Sequence, residues 1–481
     1  MFIGREQELQ FLEDKYRAKG GQLVILYGRR RVGKTETLRE FCEGKRRVFF
    51  SCREEPNRTQ LRNFSEKLLR ENIPASKYVR EFSDWETAFR SVADLPYENA
   101  KKLLIVDEFP YMCKDDASLP SILQNLWDET LKNENVMIVL CGSAMSFIEK
   151  ELLAEKNPLY GRATGVFKME PMSFRDAARF FPNYSDQDKL LAYAILGGVP
   201  HYLAQFDPDL SLEENVKKNA LSKGCALYSE PEFLLKQELR ETSLYNAIVE
   251  AVALGGSKLN EISVKSLVDD VSKTSVYLKR LIELNIVKRE FSVDDGLKKS
   301  ANARAGFYRL NDNFFRFWYS FVFPNYSDLE SGNADGVFEY EIKPNLRKFA
   351  SFAFEDACRE HVAALRRANK TPFRYQRIGT WRGKTTTRGN NARGEQETEI
   401  DLLATSPKAD KYLVGECKFK EKPFSYSEYL DVVAKTTPWR ENADIYYYLF
   451  SASGFDKKLV AESKKDDKLR LIGLEEIVRG A

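Results

Sequence analysis

Residues 22–35, Q-L-V-I-L-Y-G-R-R-R-V-G-K-T, constrain the fold more than any other stretch of this chain. An apolar run from Leu23 to Tyr27 reads as a buried strand. It breaks at Gly28, turns through Arg29, Arg30, Arg31 and Val32, and reaches Gly33-Lys34-Thr35 at the head of a helical stretch. G-x-x-x-x-G-K-[ST] between a strand and a helix predicts a loop that cradles phosphates. Glycine lets backbone N–H groups curl round a phosphate chain, and the helix N-terminus adds partial positive charge. Lys34 is expected to reach the β- and γ-phosphates and the Thr35 hydroxyl to ligate Mg²⁺, with Gly28 through Glu36 lining a nucleoside triphosphate. The plain alternative is a basic surface turn that happens to carry glycines.

At 481 residues the chain is too long for one core and predicts three or four units. Its 75 basic and 72 acidic residues leave a net charge of +3, so any nucleic-acid surface must be local. No run of 18 apolar residues occurs, so no membrane span is expected. Met1-Phe2-Ile3-Gly4-Arg5-Glu6 carries charge at once and lacks the apolar core of a signal peptide. Seven scattered cysteines without C-x-x-C, and only two histidines, offer no zinc site. The expectation is a reduced, cytoplasmic protein.

Strands are expected at 47–52, at 102–107 and at 136–141, alternating with helices. That pattern argues an α/β fold built on a parallel sheet. The expected organisation is a nucleotide-binding core over 1–172, a helical lid over 173–235, a winged helix over 236–312, a linker over 313–345 and a second α/β unit over 346–481. The winged-helix reading rests on helical periods at 241–254, 259–263, 264–270 and 273–284, followed by a two-stranded ribbon at 286–291 and 306–310. The linker reading rests on the Pro, Asn, Ser, Asp and Gly content of 324–345. Pro-Asn-Tyr-Ser-Asp occurs at 182–186 and again at 324–328, a shared turn and helix-cap signal.

Asp107 ends an apolar strand in the manner of an aspartate that holds a Mg²⁺ shell, and Glu108 beside it suits a general base for water. Ser143, at the tip of a neighbouring strand, suits either a γ-phosphate sensor or a helix N-cap. Arg162 could complete a neighbouring copy's site as an arginine finger, which would imply a homo-oligomer, or be a surface arginine. Residues 1–235 resemble the archaeal-type P-loop ATPases of the AAA+/STAND group. The resemblance is carried by Phe2-Ile3-Gly4-Arg5-Glu6, Glu8-Leu9, the phosphate loop, the L-L-I-V-D-E-F strand, the C-G-S strand end and Gly198-Val199-Pro200. It implies ATP as ligand and adenine contacts near Gly4, Arg5 and Pro200.

A second cluster lies in 399–418, E-I-D-L-L-A-T-S-P-K-A-D-K-Y-L-V-G-E-C-K. A hairpin symmetric about 408/409 would set Asp401 opposite Glu416, with Cβ atoms ~5 Å apart. Lys418 would share their face. Two carboxylates that close repel unless a proton or cation lies between them, so Asp401 and Glu416 are candidate Mg²⁺ ligands. The arrangement is similar to the PD-(D/E)xK nuclease motif, with Ile400 where the motif name has Pro. That likeness implies catalytic roles for Asp401, Glu416 and Lys418, and support from Glu355 on the preceding helix. The alternative is a solvated face with Glu399–Lys418 and Asp401–Lys420 ion pairs. As a whole the chain resembles ATPases bearing a C-terminal restriction-endonuclease-like domain.

DNA is the expected partner, through Lys265, Lys273, Lys279, Arg280, Lys298, Lys299 and Arg304 of the winged helix, or through Arg382, Lys384, Arg388 and Arg393. Asp269, Asp270, Asp294 and Asp295 interrupt the first group, so protein contact stays open there, as does a merely solvated loop at 382–396. The expected function is an ATPase whose nucleotide state gates a Mg²⁺-dependent nuclease. The alternative is a nucleotide-dependent switch that binds without cleaving.

Overall fold

The computed structural model describes residues 2–97, 100–268, 270–293, 306–389, 392–440 and 443–480, with 384–389, 392–396, 438 and 440 described by backbone alone. It divides into two compact units, Met1–Pro171 and Met172–Ala481.

The first unit is built on β1 (Gln22–Tyr27), β2 (Arg47–Ser51), β3 (Lys102–Asp107), β4 (Val136–Gly142) and β5 (Gly165–Lys168), in the order β2-β3-β4-β1-β5. Every neighbouring pair is parallel. Successive residues of a strand point to opposite faces, and here each face feeds its own core. Leu23, Ile25, Leu104, Val106, Ile138 and Leu140 pack on one side. Val24, Leu26, Leu103, Ile105, Met137 and Val139 pack on the other. A strand buried on both faces has no polar alternation to show, which is why these segments read as unbroken apolar runs. Because the strands run the same way, β1, β3 and β4 deliver their carboxyl ends to one edge, where ligands of open α/β sheets bind.

The second unit begins with helices. Ser185 caps Asp186–Leu196 through the N–H of Asp188, whereas the repeat of that pentapeptide opens Tyr326–Glu330 with no side-chain cap. Thr242–Ala253, Leu259–Lys265 and Val271–Glu283 follow, then an antiparallel ribbon of β6 (Val287–Glu290) and β7 (Phe307–Leu310). The helix expected over 264–270 is corrected: the chain leaves the helix after Lys265 and Leu267 takes a left-handed φ of 55°. Lys298, Lys299, Arg304, Asp269, Asp294 and Asp295 lie outside the described residues.

The expected linker is also corrected. Residues 324–345 form short helices whose Leu329, Val337, Phe338 and Ile342 are buried in the same core as Phe314, Phe315, Phe317 and Trp318. The polar residues that suggested a linker act as local caps instead, as where the Asn333 side chain accepts the N–H of Gly336.

The long helix Leu346–Arg367 leads into a mixed sheet of β8 (Ile378–Gly389), β9 (Ala392–Thr405), β10 (Lys411–Lys418), β11 (Asp444–Ser451) and β12 (Leu469–Gly473), ordered β12-β11-β10-β9-β8. β8, β9 and β10 pair antiparallel, while β10, β11 and β12 run parallel. Residues 382–389 pair with 392–399 as antiparallel strands, which replaces the reading of 382–396 as a solvated loop. The ribbon leans on this sheet: the Val293 N–H donates to Thr380 O at 3.0 Å, and the Arg382 N–H to the Ser292 hydroxyl at 3.1 Å.

Candidate functional site

At the carboxyl edge of the first sheet the phosphate loop leaves β1 at Gly28, where a Cβ would sit 2.3 Å from the carbonyl oxygen of Met169. Arg31 and Gly33 take left-handed φ values of 70° and 89°, which turn the loop into the helix Lys34–Phe41. Val32 is buried, and its carbonyl accepts a hydrogen bond from Arg5 Nη2 at 2.7 Å. Arg30 donates to the Tyr111 hydroxyl at 3.0 Å, a partner that no spacing in the sequence signals. Lys34 is buried and donates to the carbonyls of Gly28 and Arg29, both at 2.9 Å. Burial lowers its pKa. Glu36 faces outward and pairs with Arg39 at 2.6 Å.

The Thr35 hydroxyl donates to Asp107 Oδ2 at 2.8 Å. Glu108 follows at a left-handed φ of 56°. Its Oε2 accepts the N–H and the hydroxyl of Ser143, at 3.1 and 2.9 Å. Ser143 is therefore not the N-cap of the next helix, whose cap position is Ala144. Arg162 is paired with Asp128 at 2.9 Å. Gly4 and Arg5 take left-handed φ values of 71° and 69° just before the first helix, Glu6–Arg17. Pro200 belongs to the second unit, where it opens the short helix Pro200–Leu203.

In the second sheet, β9 and β10 pair Thr405 with Tyr412, Ala404 with Leu413, Leu403 with Val414 and Leu402 with Gly415. Continued by one step, that register sets Asp401 opposite Glu416, and the charge of Glu416 acts on the Asp401 carboxyl. Asp401 Oδ2 accepts the Cys417 N–H at 2.8 Å. Glu416 is only 5% exposed, and its two oxygens accept Lys418 Nζ at 2.6 Å and Lys435 Nζ at 2.9 Å. Lys435 ends the helix Tyr426–Lys435 and escaped the sequence reading, because only the fold brings that helix end to the strand.

Burial first, and then the charge of Glu416, push the Asp401 carboxyl up to about 6. Burial and the charge of Asp401 push Glu355 up to about 8. The ion pairs expected of a solvated hairpin face are replaced: Glu399 pairs with Arg382, and Lys420 with Glu428. Among the described residues no group of three or more His, Cys, Asp or Glu side chains is assembled to hold a metal. A cation in either site would thus draw on a pair of protein oxygens, completed by water and phosphate, which is how Mg²⁺ is commonly held. No helix among the described residues is long and apolar enough to cross a membrane.

An ATPase domain found predominantly in Archaea matches residues 2–206, and a domain of archaeal and bacterial proteins of unknown function matches 318–430. MJECL04, an uncharacterized protein of Methanocaldococcus jannaschii, is 32% identical over 422 residues, 88% of each chain. MJ0423, an uncharacterized ATP-binding protein of the same organism, is 52% identical over 46 residues, 10% of this chain and 78% of that one. Among solved structures, the Walker-type ATPase PABY2304 of Pyrococcus abyssi is 21% identical with a TM-score of 0.48, covering 66% of this chain and 96% of that one. The Aeropyrum pernix ORC2 protein, in ADPNP and ADP complexes, is 15% identical with a TM-score of 0.45, covering 69% and 95%. With the phosphate loop at one sheet edge and the likeness to MJECL04 over 88% of its length, the chain belongs to the archaeal P-loop ATPase family that includes MJECL04.

Proposed function

We propose that this ATPase acts on DNA and that its nucleotide state gates a Mg²⁺-dependent phosphodiester-cleaving site in the second unit. The observation that carries the second half is that the charge of Glu416 acts on the buried Asp401 carboxyl, with Lys418 bonded to Glu416. The antiparallel β8-β9-β10 and parallel β10-β11-β12 arrangement, preceded by the helix that carries Glu355, supports a PD-(D/E)xK-like unit over 346–481. The three helices and ribbon support a winged helix over 236–312, and 173–235 is helical throughout its regular elements.

In the first unit the loop from Gly28 to Glu36 holds the triphosphate, Lys34 moving from its carbonyl partners onto phosphate oxygens. Thr35 and Asp107 would hold Mg²⁺, and Gly4 and Arg5 would lie at the adenine. Glu108 takes the proton of the attacking water, and Ser143 holds Glu108 in register. In the second unit Asp401 and Glu416 hold Mg²⁺, which when bound acidifies a water and neutralises the phosphodiester. Lys418 orients the water, and Glu355 holds a proton close to the pair. The basic strand from Arg382 supplies backbone contacts to DNA.

The test is cleavage of single- and double-stranded DNA by the purified protein in Mg²⁺ or Mn²⁺, with and without ATP. Asp401→Ala should abolish cleavage and leave ATP hydrolysis intact, and Lys34→Ala should abolish nucleotide binding. A wild type that cuts nothing under any nucleotide condition gives way to the second reading, a nucleotide-driven switch that docks a protein. That reading is favoured by the exposed apolar side chains of Val264, Leu267 and Val276 around the third helix of the winged-helix segment.

A further inference from the structure

Glu416 is one carboxylate bracketed by two ammonium groups, Lys418 on Oε1 and Lys435 on Oε2. With Asp401 alongside, two negative and two positive charges balance in a pocket where Glu416 is nearly out of solvent. A divalent ion bound to this carboxylate pair would add two further positive charges at contact distance. Coulomb repulsion in a partly buried site then requires one ammonium to leave. Lys418 is carried on the same strand as Glu416, two residues along; Asp401 attracts both lysines, and Glu428 attracts Lys418 besides. Lys435 reaches in from a helix end, and its ion pair is with Glu416. Of the two, Lys435 is the ammonium that can leave.

We propose that Lys435 occupies the cation position on Glu416 until a divalent ion arrives, and then transfers its ammonium to a phosphate oxygen of the nucleic-acid backbone. This makes Lys435 a positioning residue for a phosphodiester, and it rests on the reading of Asp401 and Glu416 as a metal pair. The geometry of Glu416 supports the exchange: its Oε2 is satisfied by Lys435 alone among the described ion pairs, so a metal taking that oxygen displaces one partner and no other.

The experiment is calorimetric titration of the nucleotide-free, full-length protein with Mn²⁺, in which the second site is the component lost in Asp401→Asn. Lys435→Ala and Lys435→Gln should tighten that component roughly three- to ten-fold, the scale of one partly exposed ion pair. Lys435→Arg should keep wild-type affinity. Lys420→Gln, which removes a lysine paired with Glu428, should leave it unchanged. In Ca²⁺, Lys435→Ala should also reduce the slope of log affinity for duplex DNA against log salt by about one. Unchanged or weaker Mn²⁺ binding in Lys435→Ala, equal tightening in Lys420→Gln, or an unchanged salt slope would overturn the role of Lys435 alone. Mn²⁺ binding that is absent, or indifferent to Asp401→Asn, would overturn the metal pair and the exchange with it.

Discussion

Glu108, at the end of β3, is held by Ser143, at the end of the neighbouring β4, through two hydrogen bonds to one carboxylate oxygen. The backbone of Glu108 is left-handed there, a conformation that non-glycine residues adopt only when their surroundings enforce it. Asp107 and Glu108 therefore leave the strand in different directions, one toward Thr35 and the other toward β4. We expect Glu108→Gln to retain ATP binding while turnover falls about 10²- to 10⁴-fold, the usual worth of a general base. Equilibrium binding of a fluorescent ATP analogue beside steady-state phosphate release measures both. A variant that hydrolyses ATP at the wild-type rate would remove Glu108 from the chemistry.

Gly28 is needed for closeness and not only for turning. A methyl group at this position would lie 2.3 Å from Met169 O, and Met169 is tied to β1 by its N–H to Tyr27 O. Gly28→Ala should cost about 1–3 kcal/mol, as overpacking against backbone does. Gly44, left-handed with open space around it, should cost about 1 kcal/mol on the same change. Chemical denaturation of the two variants side by side should therefore rank Gly28→Ala as the more damaging.

Asp356 gathers Arg309 from the ribbon and Arg359 from its own helix, with Lys288 at 3.8 Å. Against the upward push of burial, Arg309, Lys288 and Arg359 hold its carboxyl well below the usual carboxylate range. Arg359 also donates to the Thr380 hydroxyl at 2.9 Å and to Asp401 O at 3.3 Å, so the network ends beside the carboxylate pair. Arg309→Met leaves Asp356 short of a partner and should destabilise the second unit by about 2–4 kcal/mol. The paired change Arg309→Met with Asp356→Leu should recover part of that loss in urea unfolding.

Three carboxyls of the second unit lie above their ordinary values: Asp401 at about 6, Glu360 at about 7 and Glu355 at about 8, each raised chiefly by burial. A carboxyl raised on folding keeps its proton where the unfolded chain has already released it. Stability is thus fully present below the unfolded pKa, near 4.5 for glutamate, and is lost as pH rises toward 8. In EDTA the urea midpoint should fall between about pH 5 and about pH 8, and Glu355→Gln should flatten the fall. A midpoint that instead rises across this range contradicts the assignment.

The phosphate loop was legible because its chemistry is local: glycine geometry, a lysine and a hydroxyl lie within one turn of chain. The hairpin register was legible for a similar reason, since a short turn fixes which residue faces which, and the observed pairs follow the symmetry about 408/409. What escaped depends on elements far apart in sequence. Lys435 meets Glu416, and Tyr111 meets Arg30, only because helices return to strand ends. Ser143 offered two roles to the sequence, and only its distance to Glu108 separates them. Residues 324–345 misled because caps and turns share their composition with linkers, while the buried Leu329, Phe338 and Ile342 are too sparse to announce a core.

Arg5 donates to Glu8 at 2.7 Å, to Glu170 O at 2.8 Å and to Val32 O at 2.7 Å. One guanidinium thus clasps the first helix, the segment after β5 and the middle of the phosphate loop. Cutting the chain back to residue 6 would leave every loop residue in the sequence while undoing the fastening that shapes the loop. A shortened protein of that kind should lose nucleotide affinity although no residue of the phosphate loop has changed, and a missing front end would pass for a broken binding loop.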